Sequence, residues 1–203
     1  TGRENLRVFA LMPLNIPILL TWLRIILIPL MIAVYYVPGS WLQVVGRDLA
    51  ATLVFVVAAV TDWLDGYLAR RWQQTSAFGA FLDPVADKLM VAAALIVLVQ
   101  LGRLDAILAT IIIGREITIS ALREWMAQIG AHRSVAVSMI GKIKTSAQMI
   151  AIPLLLYQAP VSGFDVFQAG TWLIYVAAVL TLWSMGYYMR MAWPHLIEED
   201  RRR

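Results

Sequence analysis

The stretch that decides the fold is residues 51–87, which read ATLVFVVAAVTDWLDGYLARRWQQTSAFGAFLDPVAD. It begins with an apolar run that is followed by Asp62 and Asp65 and then by basic residues. A second apolar run carries Asp83 and Asp87. A helix satisfies its own backbone hydrogen bonds inside a bilayer, so we read the stretch as two membrane helices with a short polar connection. It therefore predicts four carboxylates at membrane depth.

The composition of the whole chain agrees with a membrane protein. Of the 203 residues, 61% are hydrophobic, and the mean hydropathy is +0.73. A soluble globular chain holds about 45–50% apolar residues. Cysteine is absent, which excludes disulfides and thiolate metal ligands. We expect a lipid bilayer around the protein and no nucleic-acid partner.

Working outward from the quoted stretch, the chain divides into six apolar segments long enough to cross about 30 Å of hydrocarbon. The predicted fold class is all-α, a polytopic membrane protein with six transmembrane helices. We expect one domain over residues 1–203, with 1–15 as a juxtamembrane segment or extension and 194–203 as a cytoplasmic tail. The predicted spans are 16–37, 44–72, 79–101, 104–128, 135–158 and 168–193.

The basic residues predict the orientation of these helices. If the N-terminus is cytoplasmic, the outer loops contain only Arg47 and Arg103 of the 17 Lys and Arg residues. Cytoplasmic loops of membrane proteins carry an excess of Lys and Arg. This asymmetry predicts that both termini, and the connection at 73–78, lie in the cytoplasm.

The spacing of the aspartates indicates a metal site. Asp62 and Asp65 are three residues apart, and Asp83 and Asp87 are four apart, so each pair shares one face of its helix. The short connection makes the two helices neighbours, so four carboxylates converge and need cations to balance their charge. Oxygen ligands without nearby His or Cys suit two Mg²⁺ or Mn²⁺ ions and phosphate chemistry.

The same stretch resembles the signature of the CDP-alcohol phosphotransferase family. The eight residues that carry the resemblance, at fixed spacing, are Asp62, Asp65, Gly66, Ala69, Arg70, Gly79, Asp83 and Asp87. The resemblance implies a six-helix fold, a homodimer, and two metal ions on the diphosphate of CDP-diacylglycerol. It also implies that the four aspartates are metal ligands and that Asp87 is in addition the general base.

Further residues of the signature and of the first span are similar to those that contact the nucleotide and its phosphates in the family. The residues that the resemblance assigns to CDP-diacylglycerol binding are Asn15, Pro17, Thr21, Arg24, Asp62, Asp65, Gly66, Ala69, Arg70 and Gly79. The resemblance to bacterial members of the family implies a location in the inner membrane, and the predicted depth of the aspartates implies a site that opens to the cytoplasm.

Basic residues in spans four and five suggest the acceptor. The segments 113–124 and 141–145 resemble family members that use sn-glycerol 3-phosphate, which implies phosphatidyl transfer to that acceptor with release of CMP. A phosphate dianion needs cationic donors, and the candidates are Arg115, Arg123, Lys142 and Lys144. Lys142 and Lys144 point about 200° apart on a helix, so we favour Lys142 and expect Lys144 to extend toward lipid headgroups.

Other interpretations remain open at this point. The basic residues could simply pair with Glu116 or Glu124. The acceptor could be another alcohol, such as inositol phosphate or serine. A protein of a different class, a divalent-cation transporter, could also use intramembrane aspartates. Release of CMP would separate the enzyme from the transporter.

Overall fold

The protein is described here by a computed structural model, over residues 16–72, 77–129 and 139–202. These residues form six helices and no extended strand, which confirms the predicted all-α class. In chain order the helices are α1 (Ile16–Ala33), α2 (Val44–Trp72), α3 (Ala77–Gln100), α4 (Ala106–Gln128), α5 (Met139–Tyr157) and α6 (Val166–Arg202).

The helix bounds follow the predicted spans closely, with one clear difference. Helix α2 begins and ends where it was predicted, whereas α6 continues beyond residue 193, through Pro194, to Arg202. Once a helix exists, adding a residue costs little, and Leu196, Glu198 and Glu199 are good helix formers. The predicted start of span five, residues 135–138, lies outside the described residues.

Three helical segments of the described chain are long and apolar enough to cross a membrane. They are Ile18–Tyr36, Val44–Leu68 and Val166–Pro194. Helices α3 and α4 carry several ionisable side chains among their apolar residues, and α5 is shorter. The membrane character is therefore supported, while the arrangement of six spans stays a prediction.

The chain groups into two compact units, Thr1–Ala94 and Leu95–Arg203. In the first unit α1 packs along α2. The contact buries Met31 of α1 and the small or flat side chains of Ala51, Phe55 and Ala58 of α2. Small residues let two helices approach closely. This packing therefore holds the part of α2 that precedes Asp62 against α1.

In the second unit α6 packs against both α5 and α4. The α5–α6 approach is close at Gly170, where an added Cβ would lie 3.0 Å from Cβ of Leu154 and 3.2 Å from the carbonyl oxygen of Ala151. The α4–α6 contact buries Ile119 and Tyr188, among others. These contacts place the polar side chains of α4, α5 and α6 beside one another.

The ends of two helices in this unit are capped by side chains. Oδ1 of Asp105 accepts a hydrogen bond of 2.7 Å from the backbone N–H of Ile107 at the start of α4. Nη1 of Arg103 donates to the carbonyl oxygen of Leu156 at 2.6 Å, near the end of α5. Both bonds satisfy backbone groups that a helix end leaves without partners.

Candidate active site

The acidic cluster of the first unit consists of Asp62, Asp65 and Asp83. Asp62 and Asp65 lie one turn apart on α2; Asp65 is 4% exposed, whereas the side chain of Asp62 is 40% exposed. Asp83 of α3 acts electrostatically on both carboxylates. The fold thus brings together three of the four aspartates that the spacing predicted to converge.

Arg24 of α1 provides the positive charge within this cluster. It is 1% exposed, and its Nη2 donates a hydrogen bond to Oδ2 of Asp65. Its Nη1 lies 2.6 Å from Oδ1 of Asp62, and the two groups form an ion pair. One guanidinium therefore bridges two carboxylates of α2.

Thr21 lies one turn before Arg24 on α1 and contacts the third carboxylate. Its Oγ1 donates a hydrogen bond of 2.5 Å to Oδ1 of Asp83. Residues three apart share a helix face, so α1 presents Thr21 and Arg24 together to the aspartates. Both residues were predicted from the resemblance as substrate contacts, and here both touch the proposed metal ligands.

Four further predicted residues of this unit lie on the described parts of α1, α2 and α3. Asp87 lies one turn after Asp83 on α3 and is half-buried, Gly66 is half-buried on α2, and Gly79 is buried on α3. Pro17 lies in the first turn of α1. Asn15 and the side chains of Pro17, Ala69 and Arg70 lie outside the described residues.

The chemistry of the acidic cluster fits a hard divalent cation. Within residues 16–72, 77–129 and 139–202, no three His or acidic side chains stand in the geometry of a metal site. Three carboxylates nevertheless influence one another electrostatically, and carboxylate oxygens are the ligands that Mg²⁺ and Mn²⁺ prefer. The donor set therefore fits such an ion, and in this structure Arg24 supplies part of the charge that the carboxylates require.

A basic cluster in the second unit is built around Glu116 of α4. Its Oε1 accepts from Nζ of Lys144, on α5, and from Nη1 of Arg115 at 3.0 Å. Nη2 of Arg115 donates to Oγ of Ser184, on α6, at 3.1 Å. Three helices thus contribute to one buried polar network, as expected for ionisable groups that lie at membrane depth.

Arg123 lies two turns after Arg115 on α4 and is exposed. Its guanidinium carbon lies 5.3 Å from the ring centre of Tyr188, in a cation–π contact. Arg115 and Arg123 both act electrostatically on Lys144. Arg115 and Lys144 both pair with the single carboxylate of Glu116, and Arg123 adds a further positive charge that acts on Lys144, so these three cations outnumber the carboxylate of Glu116.

The structure corrects the expectation for Lys144. Its side chain is fully buried and paired with Glu116, so the expectation that it extends toward lipid headgroups is wrong. A buried ammonium is stable only when it is paired, and Glu116 lies on the neighbouring helix face. Lys142 lies on α5, but its side chain is outside the described residues.

Sequence reasoning named Glu116 only as an available partner and missed Ser184 and Tyr188. Glu116 was signalled by its position next to Arg115, because two ionisable residues in one apolar helix favour pairing within the protein. Ser184 was signalled by polarity alone: it is buried with Thr181 on one face of the apolar helix α6. Nothing in the local sequence distinguished Tyr188 from other interfacial aromatic residues.

Comparison with known proteins adds an independent observation. A family model described as CDP-alcohol phosphatidyltransferase matches residues 14–183. The CDP-diacylglycerol--glycerol-3-phosphate 3-phosphatidyltransferase of Escherichia coli (strain K12) is 51% identical over 190 residues, which are 93% of this chain and 100% of that protein. The protein of the same name from Shigella flexneri serotype 5b is 50% identical over the same length and coverage.

Proposed function

The chain belongs to the CDP-alcohol phosphatidyltransferase family, and we propose that it transfers a phosphatidyl group from CDP-diacylglycerol to sn-glycerol 3-phosphate. The products are phosphatidylglycerophosphate and CMP. The observation that carries the proposal is the cluster of Asp62, Asp65 and Asp83, contributed by α2 and α3. It lies within a chain that covers the full length of relatives with this named activity.

The donor lipid is assigned to the first unit. We propose that Asp62, Asp65, Asp83 and Asp87 hold two ions of Mg²⁺ or Mn²⁺. When bound, such ions supply charge that neutralises the diphosphate and favours the departure of CMP. The other residues proposed to contact CDP-diacylglycerol are Asn15, Pro17, Thr21, Arg24, Gly66, Ala69, Arg70 and Gly79.

Asp87 is the proposed general base. Its carboxylate accepts the proton of the glycerol hydroxyl as that oxygen attacks the lipid-linked phosphorus. The new bond joins the glycerol oxygen to this phosphorus, and the bond from the same phosphorus to the CMP oxygen breaks. The transfer needs no covalent enzyme intermediate, since the hydroxyl attacks the donor directly.

The phosphate of the acceptor is assigned to the basic cluster of the second unit. Arg115 and Arg123 both act electrostatically on Lys144, and the three cations outnumber the carboxylate of Glu116. Together with Lys142 they form the proposed binding site for the dianion of glycerol 3-phosphate, because charge-assisted hydrogen bonds are the strong contacts for phosphate.

The setting of the enzyme is also part of the proposal. We place it in the bacterial inner membrane as a homodimer, with residues 1–203 acting as one catalytic domain. Both termini and the active-site opening lie on the cytoplasmic side. The apolar helices support the membrane location, and the distribution of Lys and Arg supports the orientation.

A substrate panel tests the proposal. Purified protein in detergent, with CDP-diacylglycerol and Mg²⁺ or Mn²⁺, should release CMP only when an acceptor is present. We expect glycerol 3-phosphate to support release far better than serine, inositol phosphate or glycerol. Equal release with serine or inositol phosphate would assign a different acceptor, and metal-dependent transport without CMP release would overturn the enzyme assignment.

A further inference from the structure

Arg24 is a cation held on the oxygens that the proposed metal site would use. It is 1% exposed, and its two terminal nitrogens contact Oδ1 of Asp62 and Oδ2 of Asp65. Both contacts join α1 to α2, so they do not follow from the aspartate spacing. A divalent ion on the same two oxygens and the guanidinium would compete for them.

The arrangement leaves charge and hydrogen-bonding capacity unsatisfied. Arg24 contacts two carboxylates, and Asp83 adds a third negative charge that acts electrostatically on both of them. Nε of Arg24 is buried and has no hydrogen-bond partner among the described residues. A buried charged group that lacks partners is unfavourable. Arg24 therefore balances only part of the negative charge of the acidic cluster, while one of its own buried donors remains without a partner among the described residues.

We propose that Arg24 is a positioning residue that acts as an internal counter-ion and competes with the divalent metal. Without metal it neutralises Asp62 and Asp65 and keeps α1 and α2 together at the cluster. When metal binds, Arg24 leaves these oxygens, and its donors become available for an anion such as a diphosphate. The inference rests on the proposed metal site and adds an order of events, with the metal bound before Arg24 contacts phosphate.

Metal binding to the whole protein, without lipid or glycerol 3-phosphate, tests this inference. Calorimetry with Mn²⁺ should show that Arg24→Gln binds the ion about tenfold or more tightly than the wild-type protein, because no charge-assisted bond must be broken first. In chelator, Arg24→Gln should unfold at a lower temperature, since two aspartates lose their counter-ion. Saturating Mn²⁺ should raise its unfolding temperature more than that of the wild type.

Two further variants separate this role from charge alone. Arg71→Gln removes an exposed arginine of α2 that donates to Tyr67, and it should bind Mn²⁺ as the wild type does. Arg24→Lys keeps the charge but has a single nitrogen, so it lacks the two separate terminal nitrogens with which the guanidinium contacts Asp62 and Asp65. We expect Arg24→Lys to fold in chelator and to bind Mn²⁺ with an affinity between those of the wild-type protein and Arg24→Gln. This variant therefore tests the inference even if Arg24→Gln does not fold.

The outcomes are distinguishable. If the wild type binds Mn²⁺ while Arg24→Lys and any folded Arg24→Gln bind it no more tightly, the counter-ion role is overturned and the proposed function stands. If neither the wild type nor Arg71→Gln binds Mn²⁺ or Mg²⁺, the proposed metal site fails together with this inference. Tighter binding by Arg24→Gln but wild-type binding by Arg24→Lys would assign the effect to charge repulsion and would also overturn the bridging role.

Discussion

The four aspartates proposed as metal ligands look alike in the sequence but have different neighbours. Asp65 is buried on the guanidinium of Arg24, Asp83 accepts from Thr21, and Asp62 is the more exposed of the α2 pair. Asp87 lies a turn further along α3. Because environment decides what a carboxylate can do, we expect substitutions of these four residues to have different effects.

Replacing Asp87 should separate chemistry from donor binding. Asp87→Asn keeps nearly the same shape and removes a basic oxygen, so turnover should fall by about 10²–10⁴-fold, the usual range for general-base catalysis. Asp87 is one of four proposed metal ligands and the other three remain, so metal-dependent binding of CDP should weaken but persist in calorimetry. CMP-release rates provide the second measurement, and near-normal turnover would place the base elsewhere.

Replacing Asp62 or Asp65 should instead weaken donor binding. Either change to Asn removes a proposed metal ligand, so calorimetry with CDP and Mg²⁺ should show weaker binding than for Asp87→Asn. Ser40→Ala serves as the control. Ser40 lies in the 37–43 connection, far along the chain from Asp62 and Asp65. Unchanged CDP affinity in both Asn variants would contradict the assignment of α2 to the metal.

The basic cluster supports a prediction about the acceptor. Arg123 is exposed and held only by a cation–π contact among its described interactions, so Arg123→Ala should remove a phosphate donor without leaving a buried charge unpaired. Losing a charge-assisted hydrogen bond costs about 1.5–3 kcal/mol, which corresponds to about a 10- to 150-fold higher KM for glycerol 3-phosphate. The KM for CDP-diacylglycerol should change little.

Arg190→Ala is the matched control for this experiment, because Arg190 is an exposed arginine of α6 outside the proposed sites. It should leave both KM values near those of the wild type. If Arg123→Ala raises only the KM for CDP-diacylglycerol, the basic cluster serves the nucleotide or the fold, and the acceptor site lies elsewhere.

At the scale of helices, the polar network of the second unit depends on how closely α6 approaches its neighbours. Glu116, Lys144 and Ser184 come from three helices and meet in one network. Gly170 permits the α5–α6 part of that approach, since an added Cβ would lie 3.1 Å from Cγ of Leu155 and close to backbone. Overpacking at such a contact typically costs about 1–3 kcal/mol.

Gly170→Val should therefore destabilise the protein by about 1–3 kcal/mol, measured as a lower unfolding temperature in detergent. Gly186 lies on the same helix with open space around an added Cβ. Gly186→Ala should be neutral or slightly stabilising, because Ala has the higher helix propensity. Equal effects of the two substitutions would show that the close α5–α6 approach does not limit stability.

For the molecule as a whole, the orientation in the membrane determines which compartment supplies the acceptor. The native chain contains no cysteine, so single cysteines can be introduced without removing others. In intact cells an impermeant thiol reagent should label Ser40→Cys and should label Ser76→Cys only after permeabilisation, because the connection at 73–78 is predicted to be cytoplasmic. Preferential labelling of position 76 in intact cells would contradict the orientation.

The sequence by itself determined the class of the protein, the helix pattern and the identity of the acidic residues. Each of these depends on short-range spacing: apolar runs of membrane length predict helices, and aspartates three or four residues apart must share a helix face. The eight spaced residues between Asp62 and Asp87 were also enough to predict the family. The end of α6 was placed too early, because a polar segment can continue a helix that already exists.

Only the tertiary structure decided which charges meet. Arg24 reaches Asp65 across 41 positions of sequence, and Lys144 reaches Glu116 across 28. Such pairs depend on the rotation and depth of one helix relative to another, which are set by packing at residues such as Gly170 and Phe55. The burial of Lys144 has the same cause. Sequence spacing gives the direction of a side chain on its own helix. Whether a side chain in that direction meets lipid or a carboxylate depends on the neighbouring helix.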